Sequence, residues 1–134
     1  MPVRRLDHVN LRVADVAATV DFYSRLLGMT VQVPPGASDC SLAAWICDDD
    51  GRAVVHAVSA SVRTAMSPGT PPATGAGAIH HVAFDCSNRT AMLERLVAAG
   101  VAYALNHVPG IDLQQIFLTD PNGILIELNF RSVN

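Results

Sequence analysis

A chain of 134 residues, half of them hydrophobic and 16% charged, is long enough to bury a core and too apolar to be disordered. The net charge of −3, with nine Arg and no Lys, offers no basic surface for nucleic acid. No apolar run approaches the ~20 residues that span a bilayer, and Met1-Pro-Val-Arg-Arg5 lacks the apolar core of a signal peptide, so the expectation is a cytoplasmic protein with no membrane partner. Cys40, Cys47 and Cys86 are odd in number and lack knuckle spacing; they read as reduced thiols, Cys86 as a buried one.

In Leu6–Val13, Val9, Leu11 and Val13 alternate with His8, Asn10 and Arg12, which predicts a half-buried strand. Asp15 is an N-cap for a helix carried by Val16, Val20, Tyr23, Leu26 and Leu27 until Gly28 stops it. Strands are expected at 30–33, 42–47 and, after the turn Asp48-Asp-Asp-Gly-Arg52, at 53–58. Residues 59–77 lose all periodicity in favour of Ala, Ser, Thr, Pro and Gly, and read as a linker or a loop over a site.

The same grammar then repeats. Ile79-His-His-Val-Ala-Phe84 aligns with Leu6-Asp-His-Val-Asn-Leu11 and sets His81 opposite His8. Ser87 or Asn88 caps a second helix through Met92, Leu93, Leu96 and Val97 to Gly100, and strands follow at 102–105 and 114–119. Asp120-Pro-Asn-Gly123 is a turn, since Pro121 presets φ and Asn122-Gly123 accept positive φ. In the strand after it, Ile124, Ile126, Leu128 and Phe130 share one face, and Leu125, Glu127 and Asn129 the other. The expectation is an α+β chain: one domain over 1–134, built of two βαβββ modules (3–58 and 78–131) joined by the linker 59–77, with paired curved sheets and helices on their outer faces.

Four polar positions recur at equivalent ends of the modules: His8 and His81 in the first strands, His56 and Glu127 in the last. Imidazoles and a carboxylate are donors for Zn, Ni, Mn or Fe, and two His with one carboxylate is a common catalytic set. Taken singly, a strand His is more often a core or surface residue and a mid-strand Glu more often solvated. It is the recurrence that favours a site.

Asp7-His8-Val9, Phe22-Tyr23, Leu27-Gly28, His80-His81-Val82-Ala83-Phe84 and Asp120-Pro-Asn-Gly with Ile126-Glu127-Leu128 resemble the vicinal oxygen chelate superfamily, over nearly the whole chain except the linker. That superfamily includes glyoxalase I, extradiol dioxygenases, methylmalonyl-CoA epimerase, fosfomycin-resistance transferases and bleomycin-sequestering proteins. The resemblance implies a divalent metal (Zn, Ni, Mn or Fe) on His8, His81 and Glu127, with His56 nearest the fourth position. It implies a glyoxalase-I-like lyase or isomerase acting on a small substrate with vicinal oxygens, Glu127 serving as ligand and base. Arg12, Asn10, Phe117 and Asn129 are candidate substrate contacts, and a homodimer is the expected assembly. A ring-cleaving dioxygenase using Fe(II) comes second, because Phe117 stands where such enzymes carry a Tyr and His107 reads as a loop residue. A fosfomycin transferase is disfavoured by the absence of Lys. A non-catalytic, bleomycin-resistance-like binding protein is the third alternative, for which Trp45 and Tyr103 would line a groove, although core packing is the first expectation for both.

Overall fold

Residues 2–64, 66 and 74–131 are described by a computed structural model of the chain, which divides into two units, Met1–Thr74 and Gly75–Asn134. The first holds β1 (Val9–Val13), α1 (Val16–Asp21), a π-helical turn (Phe22–Leu26), β2 (Thr30–Gln32), β3 (Ala43–Cys47) and β4 (Ala53–Ser59). The second holds β5 (Val82–Cys86), α2 (Arg89–Ala99), β6 (Ala104–Val108), a 3-10 turn (Pro109–Ile111), β7 (Leu113–Thr119) and β8 (Leu125–Arg131). Each unit forms a four-stranded mixed sheet, ordered β1-β4-β3-β2 in one and β5-β8-β7-β6 in the other. In each, the first strand runs parallel to the last and the other pairs are antiparallel. Each unit thus has the α+β make-up, one mixed sheet with a helix after its first strand, that the alternation predicts.

Local chemistry sets the boundaries. Asp15, in extended conformation, accepts the Ala18 N–H at 3.0 Å and starts α1 as expected. The regular helix expected to run to Gly28 instead ends at Asp21 and widens, with the Leu27 N–H reaching the Phe22 carbonyl at 3.2 Å. Thr19 and Ser24 hydroxyls donate to the carbonyls of Asp15 (2.9 Å) and Val20 (2.6 Å), competing for acceptors that a regular ladder would use. Phe22, Tyr23 and Leu26 are all buried in the widened turn. Of the two possible caps of α2 it is Asn88, at φ 58°, whose side chain accepts the Ala91 N–H. Met92 and Leu96 are buried, but Val97 lies 67% exposed, so the apolar face of α2 is narrower than the spacing implies.

The turns before β4 and β8 are the same device used twice. The Asp120 carboxylate accepts the N–H groups of Asn122 (2.8 Å) and Ile124 (2.9 Å), and its carbonyl accepts Gly123 N–H. The Asp48 carboxylate accepts Asp50 and Arg52 N–H, each at 3.0 Å, and its carbonyl accepts Gly51 N–H. Gly51 and Gly123 have φ of 77° and 80°, a conformation that glycine adopts without steric cost. The core face of β8 is the one expected, with Ile124, Ile126, Leu128 and Phe130 all buried.

Other expectations shift. β1 and β5 begin at Val9 and Val82, so His8 and His81 each stand one residue before a strand. His107 belongs to β6 and not to a loop, because Asn106 and His107 pair with Gln115 and Gln114 of β7. Tyr103 is at the surface, 37% exposed, and Cys47 is the buried thiol while Cys86 is half-buried. The linker reading covers 59–77; Ala65 and residues 67–73 lie outside the described residues. Its first part is anchored: Ala60 N–H donates to the Val13 carbonyl at 2.8 Å, and Ala60 is buried.

Candidate functional site

Strand register decides which residues of the two repeats correspond. Across the parallel ladders Asn10 pairs with His56 and Ala83 with Glu127; across the antiparallel ones Trp45 pairs with His56 and Phe117 with Glu127. Since His8 precedes Asn10 by the same two residues as His81 precedes Ala83, His56 holds in β4 the place that Glu127 holds in β8. Counted from the turn glycine, His56 is one residue too far along. The surplus is absorbed in β4, where Ile46 pairs with Val55 but Cys47 with Ala53, leaving Val54 without a partner in the ladder.

In the first unit the site residues form a stack of rings. His8 lies on His56 with centroids 3.8 Å apart and planes 13° from parallel, and Trp45 covers the ring of His56 at 4.5 Å and 10°. The Asp7 carboxylate accepts from His8 Nδ1 at 2.6 Å. That bond lowers the Asp7 pKa. With Nδ1 carrying the proton, the Nε2 of a neutral His8 keeps its lone pair. Burial, and then the neighbouring His8, push the His56 pKa below its ordinary value. Imidazole lone pairs lie in the ring plane, so an ion in the plane of one stacked ring is outside the plane of the other. As the pair stands, one ring can hold an ion and the other backs it.

In the second unit Glu127 is half-buried at the centre of β8, its side chain 13% exposed, with Oε1 3.6 Å from Nε2 of His81. This is too long for a hydrogen bond. It fits two donors around one small cation, since ligand distances of roughly 2.0–2.2 Å allow up to about 4.3 Å between them. His81 Nδ1 meets His80 Nδ1 at 2.9 Å, so one of the two is the donor and the other the acceptor. When His81 donates, its Nε2 is left as a lone pair facing Glu127, which gives His80 an orienting role that its position before the strand did not suggest.

The other oxygen of Glu127 is taken. Oε2 accepts from Asn129 Nδ2 at 2.8 Å, Asn129 Oδ1 accepts from Gln115 Nε2 at 3.1 Å, and Gln115 Oε1 accepts from Asn106 Nδ2 at 2.7 Å. Asn129 and Gln115 are buried. Of the expected substrate contacts, Asn129 is thus engaged with Glu127, Phe117 lies across the ladder from it, and Asn10 is exposed beside His56. Arg12 donates to the backbone carbonyls of Ser59 (3.4 Å) and Val62, where the chain leaves β4. Among the described residues, neither unit by itself gathers three His, Cys, Asp or Glu side chains placed to hold a metal. Gln115, Asn106 and the stacking role of Trp45 escaped the sequence reading. Their only signal was side-chain parity, which is uninformative until register pairs the strands.

A model of the Glyoxalase/Bleomycin resistance protein/Dioxygenase superfamily matches residues 5–128. Glyoxylase I 4 of Arabidopsis thaliana is 26% identical over 127 residues, covering 92% of this chain and 68% of that protein. Among solved structures, the lactoylglutathione lyase of Agrobacterium tumefaciens superposes with a TM-score of 0.68 at 18% identity, covering 97% of this chain and 96% of the other. TnmS3, an antibiotic binding protein of Streptomyces sp. CB03234, superposes at 0.69 and 19% identity, covering 98% and 99%. At these identities the two structures speak for the fold, which serves an enzyme and a binding protein alike.

Proposed function

The chain belongs to the Glyoxalase/Bleomycin resistance protein/Dioxygenase superfamily, and from that premise we propose that it is a metal-dependent, glyoxalase-I-like lyase or isomerase. Its substrate would be a small molecule with vicinal oxygens. The observation that carries this reading is Glu127: a carboxylate fixed by Asn129 at the centre of an apolar strand, with its second oxygen 3.6 Å from an imidazole nitrogen. His81 and Glu127 would hold a divalent ion together with His8, by whichever pairing of modules, within one chain or between two, brings them to it. His56 backs His8. The metal, when bound, would polarise a substrate carbonyl. Glu127 would exchange the proton on the adjacent carbon through the lone pair of Oε1 that the ion would leave free. The protein would act in the cytoplasm as a homodimer, and the described residues include no helix long and apolar enough to cross a membrane.

Ring cleavage stands behind this reading because Phe117, directly across from Glu127, has no hydrogen-bonding group. Sequestration of a flat molecule is a second reading, favoured by the stack of His8, His56 and Trp45, which offers rings for π-stacking. Metal content decides between them. Protein purified without a chelating tag should carry a divalent ion that both His81→Ala and Glu127→Gln lose. Intact protein that binds a flat aromatic equally well with and without a chelator would overturn the enzyme reading.

A further inference from the structure

Asn106, Gln115 and Asn129 lie directly opposite one another on three adjacent strands: Asn106 pairs with Gln115 between β6 and β7, and Gln115 with Asn129 between β7 and β8. Their amides are therefore a straight row across the sheet. Asn129 and Glu127 are two residues apart in β8, hence on one face, and the row ends on Glu127 Oε2. An ionised carboxylate only accepts hydrogen bonds, so Asn129 must present its NH2 to Glu127. Its carbonyl then faces Gln115 and needs a donor, and Gln115 in turn presents its carbonyl to Asn106. One carboxylate sets the direction of all three amides. The first unit has no such row: register places Val58 where Asn129 stands and Ala43 where Gln115 stands.

We infer that Asn129, Gln115 and Asn106 form a directional ladder that positions Glu127, capping Oε2 and leaving Oε1 as its working oxygen. The three are positioning residues, and their use in catalysis rests on the function proposed above. A hydrogen-bonded row of amides can run head to tail in either direction, and the Glu127 carboxylate at one end selects this one for the two buried amides.

Polarity gives the test. Gln115→Glu preserves shape but removes the donor, so Asn129 must turn its NH2 toward residue 115 and its carbonyl toward the Glu127 carboxylate. In a Glu127→Gln background the reversed row is satisfied again, because the side-chain amide introduced at position 127 can donate to Asn129 Oδ1. Thermal unfolding of the metal-free protein should show Gln115→Glu lowering the midpoint by several degrees in the wild-type background and by little in Glu127→Gln. Equal losses in both backgrounds would overturn the ladder. Repeating the comparison in Asn129→Val, which installs the residue of the equivalent first-unit position, should abolish the difference. A difference that persists there is direct charge repulsion and overturns it too.

The functional arm uses Zn²⁺ alone, in competition with a chromophoric chelator. Gln115→Glu should weaken Zn²⁺ binding about 10-fold or more. Wild-type binding with no loss in the variant would remove the positioning role. If wild type binds no Zn²⁺, Mn²⁺ or Ni²⁺, the metal reading fails, and the unfolding comparisons still decide the ladder.

Discussion

Trp45, the chain's sole tryptophan, lies flat on His56, with ring centroids 4.5 Å apart and planes 10° from parallel. A protonated imidazole quenches indole emission, so fluorescence of this one residue should report the charge of His56. The His56 pKa is lowered from 6.5, first by burial and then by His8. The titration midpoint should fall below that value and vanish in His56→Phe, which keeps the stack. The sign for stability follows: as pH drops through 6.5 the unfolded chain takes up this proton first. The contribution of His56 is intact above about that pH, declines as pH falls toward the folded pKa, and levels off beneath it. Wild type should therefore lose more thermal stability than His56→Phe between pH 7.5 and 5, and equal losses would show that His56 is not shifted.

The two aspartate turns should differ in cost. Asp120 is buried and its carboxylate accepts two backbone N–H groups, so Asp120→Ala should destabilise by about 2–4 kcal/mol, read from urea denaturation. The Asp48 side chain, 26% exposed, lets water replace part of what it supplies, and Asp48→Ala should cost less than Asp120→Ala in the same denaturation.

Glu127→Gln should lower metal-dependent turnover by at least roughly 10²–10⁴, because it removes a ligand of the ion together with the base. The Gln side-chain carbonyl can still accept from Asn129, so the unfolding midpoint should stay near that of wild type. Loss of fold together with loss of turnover would mark Glu127 as structural.

Arg12→Met should cost about 1–3 kcal/mol through the two carbonyl contacts it removes, with little effect on metal binding. A variant of wild-type stability with a raised KM would return Arg12 to the role of substrate contact.

Much of this was legible in the sequence because it is local. Asp15, Asn88 and Gly100 mark their helices within a turn of the residues they cap, and the two-residue alternation around Glu127 separated the buried from the polar face of β8 directly. The likeness of His8 to His81 needed only a repeat in the text. What stayed hidden depends on pairing at a distance. The ring stack joins residues 8, 45 and 56, and the amide ladder joins 106, 115 and 129. No period along the chain announces either. The widened turn after α1 was hidden for another reason, since hydroxyls that bond back to carbonyls change helix geometry without disturbing the hydrophobic spacing.

Val54, the bulged residue of β4, changes how the two halves of such a chain ought to be aligned. An ungapped count from the turn glycines sets Val55 against Glu127 and reads the first half as having lost its polar residue. Matched through their neighbours across the sheet, the halves retain a polar group at the same station. A strand's chemically important position is thus tethered to its partner strand, and a bulge between it and the turn alters the count along the chain without moving it off that station.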